Sequence, residues 1–156
     1  MVDPNTTKDF AEELNASRDG WNTAMGLRFV RATADEVVAE LEIGPQHRQP
    51  YGIVHGGVHS GVIETIASVG AALYAMPQGQ GAVGLENHTS FLHAVREGVL
   101  RATARPLTRG RRTQVWEGEI RDAAGKLVAT GRVRLLGLDP DTQLGGSTVG
   151  ARPRVG

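Results

Sequence analysis

Apolar residues recur with a helical period in one long stretch of the chain and alternate through most of the rest. Between Gly57 and Met76, Val58, Val62, Ile66, Val69 and Leu73 fall three or four apart and so share one side of a helix. The spacing predicts a helix of about 19 residues, roughly 28 Å long at ~1.5 Å per residue. Gly56-Gly57 opens it, and Pro77 with the Gly79/Gly81 loop ends it. From Leu27 to Ile43 the pattern turns extended: Phe29, Val37, Val38, Leu41 and Ile43 flank a polar turn at Asp35 and Glu36, which predicts a hairpin. Four more extended segments follow the helix, at about 82–94, 98–107, 113–121 and 126–137. Turns at Arg96-Glu97-Gly98, Arg109-Gly110 and Asp122 to Gly125 separate them. Leu100, Ala102 and Ala104 alternate with Arg101, Thr103 and Arg105, and Val133 and Leu135 with Arg132 and Arg134, so these segments read as antiparallel neighbours joined by hairpins. Residues 7–15 predict a short helix capped by Thr6 or Thr7, with Phe10 and Leu14 on one side, ahead of a loop containing Gly20. The chain thus divides into an N-terminal segment 1–20, one α+β domain over 21–138, and a glycine-rich tail 139–156 expected to be unstructured.

Composition narrows the classes of function. A chain of 156 residues is about one domain by length. Its 17 basic and 17 acidic side chains cancel, so no global charge draws it toward nucleic acid or an anionic membrane. Cysteine is absent, which removes disulfides, thiolate metal sites and a thiol nucleophile. The first 17 residues have no signal-peptide apolar stretch, and a cytoplasmic location is the expectation. Val58 to Met76 approaches membrane-spanning length but carries Glu64 near its middle, beside His59, Ser60, Thr65 and Ser68, and reads as a buried helix of a soluble protein.

The second face of that helix carries the candidate chemistry. Gly57, Gly61, Glu64, Ser68 and Ala72 line up as small residues interrupted by one carboxylate and, one turn later, one hydroxyl. Small side chains let a backbone or a ligand approach closely, which would set Glu64 in a crevice. Periodicity alone is equally compatible with a solvated glutamate beside glycines that merely permit helix contact. The helix start favours the first alternative. Gly56-Gly57 leaves N–H groups and the positive end of the helix dipole open to an oxyanion, His55 can add a donor, and an acyl group laid along the helix would reach Glu64 two turns on. His55 and His59 are four apart and precede Glu64, which superficially resembles a metal site. The zinc-protease pattern needs a glutamate directly after the first histidine, where this chain has Gly56, and His59 and Glu64 diverge by roughly 140° on a helix. No metal site is read, and His59 reads as a packed or partly exposed helix residue.

The run RQPYGIVHGGVHSGVIETIASVGAALYA, followed by AVGLENHTSFLHAVREGVLRATARPLTRGRRTQVWEGEIRDAAGKLVATG, resembles the PaaI-type branch of the hotdog-fold thioesterases. Within that branch it is similar to the aromatic acyl-CoA enzymes, the Glu-dependent 4-hydroxybenzoyl-CoA thioesterases and 1,4-dihydroxy-2-naphthoyl-CoA hydrolases. The likeness spans residues 24–138. It implies an antiparallel sheet wrapped around the long helix, dimers joined edge to edge, tetramers of two such dimers, and active sites between subunits. It further implies that Glu64 is nucleophile or general base, that the Gly56 N–H meets the thioester oxygen with help from His55, that Gln49 places the water or carboxylate, and that Ser68 holds the hydroxyl position one turn past Glu64. The implied partners are an acyl-CoA substrate and further copies of the chain, with no nucleic acid, membrane, metal or separate cofactor.

Coenzyme A carries phosphates, and a chain of zero net charge must meet them locally. Arg109, Arg111 and Arg112 around Gly110 suit a phosphate, although a solvated turn has the same composition. Asn87, His88, Thr89 and Ser90 put four polar residues in a row on a strand expected to be buried on at least one face, which marks the site or a subunit seam. Phe91, Leu92, Tyr74 and Met76 are candidate apolar walls, each equally readable as core. Two other functions fit a hotdog helix carboxylate: hydration of an enoyl thioester, and acyl-CoA binding without catalysis.

Overall fold

The computed structural model describes residues 8–17 and 20–148. Its central element is a helix over Gly56–Ala75, and it forms where the apolar spacing requires. Two short helices precede it, α1 (Ala11–Ala16) and α2 (Gly20–Met25), so the long helix is α3. The strands are β1 (Arg28–Ala32), β2 (Val37–Glu42), β3 (Gly81–Phe91), β4 (Val99–Arg109), β5 (Thr113–Arg121) and β6 (Leu127–Leu138), with a small hairpin of β7 (Gln143–Leu144) and β8 (Ser147–Thr148). The six long strands form one antiparallel sheet in the order β1-β2-β4-β5-β6-β3, and α3 lies across one face of it.

The alternation seen along the strands is what the sheet buries. Leu100, Ala102 and Ala104 of β4, Trp116 and Ile120 of β5 and Val133 and Leu135 of β6 face the helix. The intervening Arg101, Arg105, Glu117, Arg132 and Arg134 stand on the opposite, solvent-facing side. On that side two glutamates of the β1–β2 hairpin each bridge arginines from both neighbouring strands. Glu40 pairs with Arg28 at 2.6 Å and Arg101 at 2.7 Å, and Glu36 pairs with Arg31 and Arg105.

The buried side of α3 comprises Val58, His59, Val62, Ile63, Ile66, Ala67, Gly70, Ala71 and Ala75, while Val69 and Leu73 are only half-buried. The stripe read from the sequence therefore curves toward smaller residues in the second half of the helix. The reason is Trp116. Its fully buried ring lies on Gly70, where any Cβ would overlap it. The indole N–H donates to Gln114 Oε1 at 2.9 Å, and Gln114 Nε2 donates to the Ala71 carbonyl of α3 at 3.1 Å, so both buried side chains are satisfied and the pair is tied to the helix.

Three expectations are corrected. First, β3 does not form a hairpin with β4. Residues 92–98 carry the chain across the sheet, tied by Val54 N–H to the Val95 carbonyl and Ile43 N–H to the Gly98 carbonyl, and β4 is instead flanked by β2 and β5. The polar β3 is left on the sheet's outer edge, where charged and polar residues suit an open strand. Second, the short helix expected over 7–15 forms at Ala11–Ala16, and another helix, α2, follows it from Gly20. The caps expected at Thr6 or Thr7 lie outside the described residues; Asp9 Oδ1 accepts the Ala11 N–H and the Ala32 N–H, both at 2.9 Å, and so fastens α1 to β1. Gly20 opens α2 instead of sitting in a loop. Third, residues 139–148 of the expected unstructured tail contain the β7–β8 hairpin, and 149–156 lie outside the described residues.

The Gly70–Trp116 contact yields a stability prediction. A Gly70→Ala change gains ~1 kcal/mol of helix propensity, but overpacking a walled-in ring costs roughly 1–3 kcal/mol. A net loss of up to about 2 kcal/mol is expected, read as a lower urea midpoint at unchanged slope.

Candidate active site

The start of α3 is shaped by its capping histidine. His55 has extended backbone and its Nδ1 accepts the Gly57 N–H at 2.8 Å, while its carbonyl accepts the Val58 N–H at 2.9 Å. Of the first three amides, the Gly56 N–H alone has no partner among the described residues. The donor set anticipated at Gly56-Gly57 is thus reduced to one backbone N–H. An Nδ1 that accepts is unprotonated, so the neutral His55 ring carries its proton on Nε2, the donor that remains for a ligand.

A cavity of about 440 Å³ opens at this helix start, with Gln49, His55 and Gly56 in its wall. Gln49 Oε1 accepts the Tyr51 N–H, and the Gln49 N–H bonds the Ile53 carbonyl at 2.9 Å, so the loop before the helix curls around this side chain. Phe91, Leu92 and Ile53 supply apolar wall. Phe91 lies on Gly56 so closely that a Cβ there would enter its ring. His59 is the one buried histidine of the cavity wall, 4% exposed, with its ring centroid 6.1 Å from that of Phe91. Its Nδ1 is buried with no hydrogen-bond partner among the described residues.

Glu64 does not line this cavity. It is exposed on the face of α3 that looks toward edge strand β3, and Asn87 orients it. Asn87 Nδ2 donates to the Ser60 carbonyl at 2.9 Å and to Glu64 Oε2 at 3.3 Å, and Thr89 Oγ1 donates to Asn87 Oδ1 at 2.7 Å. Gly84 of the same strand leaves Glu64 Oε1 without a side chain between it and the strand. Of the four polar residues on β3, then, Asn87 and Thr89 face the helix, and His88 and Ser90 are exposed on the other side. Ser68 is half-buried one turn beyond Glu64. Within one chain Gly56 and Glu64 are eight residues apart, about 12 Å along the helix axis. An acyl carbonyl cannot touch both in the way a single helix suggested.

The arginine cluster lies at the far end of α3, roughly 30 Å from Gly56 along a 20-residue helix. Arg109 is engaged: its Nη1 donates to the Ala34 carbonyl at 2.9 Å and to Asp35 Oδ1 at 2.8 Å, and its guanidinium stacks 4.6 Å from the Tyr74 ring centroid. Gly110 closes the turn through its N–H to the Thr113 carbonyl, and Arg111 and Arg112 project into solvent with no ion pair among the described residues. Tyr74 and Met76, near that end, are far from the cavity, whereas Phe91 and Leu92 are in its wall. The sequence did not reveal Trp21, whose ring covers Gly61 on the helix face between Gly57 and Glu64. The glycine that invites a ligand in the sequence is filled by this indole from α2.

Comparison with known proteins fixes the family. The sequence profile of the thioesterase superfamily matches residues 51–129, which include the whole of α3 and the entire edge strand. The chain belongs to the thioesterase superfamily. The Mycobacterium tuberculosis protein Rv1847, provisionally named an esterase, is 39% identical over 121 residues, covering 76% of this chain and 86% of its own. The 1,4-dihydroxy-2-naphthoyl-CoA hydrolase of Escherichia coli (strain K12) is 36% identical over 124 residues, 78% of this chain and 90% of the hydrolase. Among solved structures, the thioesterase HI1161 from Haemophilus influenzae superposes with a TM-score of 0.78 at 30% identity, covering 89% of this chain and 96% of that one. The fold of this superfamily member is accordingly the hotdog, with its antiparallel sheet packed on one long helix.

Burial of His59 has a pH consequence. Desolvation pushes its pKa below the ordinary 6.5. In the unfolded chain the ring takes up a proton near pH 6.5, in the folded chain only at lower pH, so the unfolded state binds more protons in between. Stability is therefore full above about pH 6.5 and falls as pH drops through that value toward the folded pKa. Urea denaturation between pH 7.5 and 5 should show this slope, and a folded His59→Leu protein should show a shallower one.

Proposed function

We propose that this superfamily member is an acyl-CoA thioesterase acting on aromatic acyl groups, with each site assembled from two copies of the chain. The observation that carries the proposal is the pose of Glu64: a carboxylate held by Asn87, open to solvent, beside the unpaired edge of β3 and with only Gly84 opposite. A second copy aligned along that edge would bring its own helix start to the carboxylate. This answers the separation of Gly56 and Glu64 within one chain. The Gly56 N–H of one copy then receives the thioester oxygen, with the His55 Nε2–H beside it, and Glu64 of the other acts on the carbonyl carbon.

Glu64 either takes a proton from a water that adds to the carbonyl or attacks the carbon itself to give an anhydride that water opens. Both courses break the C–S bond and end in a carboxylic acid and the CoA thiol. Gln49, in the cavity wall, holds that water in this reading, and Ser68 stands one turn from the carboxylate. No metal or cofactor takes part. The aromatic preference draws on the 36% identity to a naphthoyl-CoA hydrolase and on the wall of Phe91, Leu92 and Ile53. Arg111 and Arg112 are the cations available to CoA phosphates, since Arg109 is committed to Asp35 and Tyr74.

Glu64→Ala and Glu64→Gln should lower kcat for benzoyl-CoA hydrolysis by about 10²–10⁴-fold, measured by released thiol, with circular dichroism unchanged. Near-normal turnover in a folded Glu64→Ala protein would remove Glu64 from the mechanism. Substrate consumed without free thiol would point to hydration, and thioester bound intact for hours to a non-catalytic binder. Sedimentation velocity should find a dimer or tetramer; a fully active monomer would refute the shared site.

A further inference from the structure

His59 stands apart from the other imidazoles near the helix start because its polar capacity is unspent. Burial alone does not produce this state. His47 is 1% exposed, yet its Nδ1 accepts the Gly44 N–H and its Nε2 pairs with the Met25 carbonyl, both at 2.8 Å. The Nδ1 of His55 is filled by the Gly57 N–H, and that of His93 pairs with the Leu127 carbonyl. His59 alone is both buried and without a hydrogen bond among the described residues, and it lines the cavity. Unpartnered polar atoms in folded interiors are few, and each calls for a specific explanation such as a bound ligand. The Phe91 ring lies beside it, and Ile53, Val54 and Leu92 share the cavity wall with it.

We propose that His59 is the specificity-determining residue of the cavity, and that it hydrogen bonds a hydroxyl group carried by the acyl portion of the substrate. This rests on the thioesterase reading and names the residue that would choose among acyl groups. Nδ1 is enclosed as well as unpartnered, so a half-turn of the ring would be needed to present it to the cavity; a hydroxyl can both donate and accept and therefore pairs with either nitrogen of a neutral imidazole. Burial disfavours the imidazolium, so the ring offers an acyl carboxylate no compensating charge. His59 lies three residues past Gly56 on the same helix, about 4.5 Å along its axis. A hydroxyl at His59 and a thioester oxygen at the Gly56 N–H would thus fix an acyl group at two points within one turn. An unsubstituted acyl group fills the same space but leaves the imidazole unpaired, and a site with an unpaired buried polar group discriminates strongly.

Non-hydrolysable thioethers test this without turnover: phenacyl-CoA and its 2-, 3- and 4-hydroxy forms, with Kd measured by calorimetry on the intact protein. At least one hydroxy isomer should bind wild-type protein about tenfold tighter than phenacyl-CoA. His59→Leu should reduce that preference to within about threefold while leaving the phenacyl-CoA Kd within about twofold. His59→Phe, which keeps a ring against Phe91, is the second variant and should show the same collapse if the leucine protein does not fold. A preference for none of the three isomers in wild-type protein, or a preference that survives in the folded variants, overturns the assignment. Thiol release is read separately: a protein with the His59-dependent preference that never releases thiol would refute the thioesterase reading and support the role of His59.

Discussion

The architecture depends on aromatic rings seated directly on glycines of α3. Trp116 from the sheet rests on Gly70, Trp21 from α2 on Gly61, and Phe91 from the edge strand on Gly56. Each contact needs the missing Cβ, because the ring occupies the space a side chain would take. Together they fix where α3 lies relative to the sheet, the N-terminal helices and β3. The position of the unpartnered Gly56 amide and of the carboxylate at Glu64 follows from that placement. In a chain whose aromatic residues make up only 4% of the sequence, three rings used this way represent much of the available large apolar surface.

The polar content of β3 has a matching logic. A strand bearing Glu86, Asn87, His88 and Ser90 would leave buried groups without partners if it were flanked on both sides by neighbours and covered on both faces. At the sheet's edge only Asn87 and Thr89 must be satisfied internally. They accomplish this by bonding each other, the Ser60 carbonyl and Glu64. The strand that is least suited to the interior is thereby the one that orients the carboxylate, and its outer backbone remains available to another strand.

Much of this was readable in the sequence because it is written in period. The helix, its start at Gly56, and the alternation of β4 and β6 follow from spacing alone. The hotdog class and the superfamily follow from the motif around Gly56 and Glu64. Strand order was not readable, since alternation identifies a strand without naming its neighbour, and β3 lies next to β6 through contacts far apart in sequence. The glycine stripe was legible as a close approach but not as to what approaches. Rings from residues 21 and 91 lie distant along the chain, and nothing local to Gly56 or Gly61 announces them. The engagement of Arg109 by Asp35 and Tyr74 was hidden for the same reason, as was the unspent nitrogen of His59, which reads in the sequence only as a packed or partly exposed helix residue.

The bridging glutamates on the outer face of the sheet give that surface an uneven tolerance to genetic drift. Removing Arg28 leaves Glu40 still neutralised by Arg101, and removing Arg31 leaves Glu36 with Arg105, so either loss is absorbed. Removing Glu40 instead leaves two cations flanking an empty central position, and the repulsion spreads over three strands. Lineages of this chain should therefore exchange these arginines freely while keeping an acid at positions 36 and 40, an asymmetry invisible in a net charge of zero.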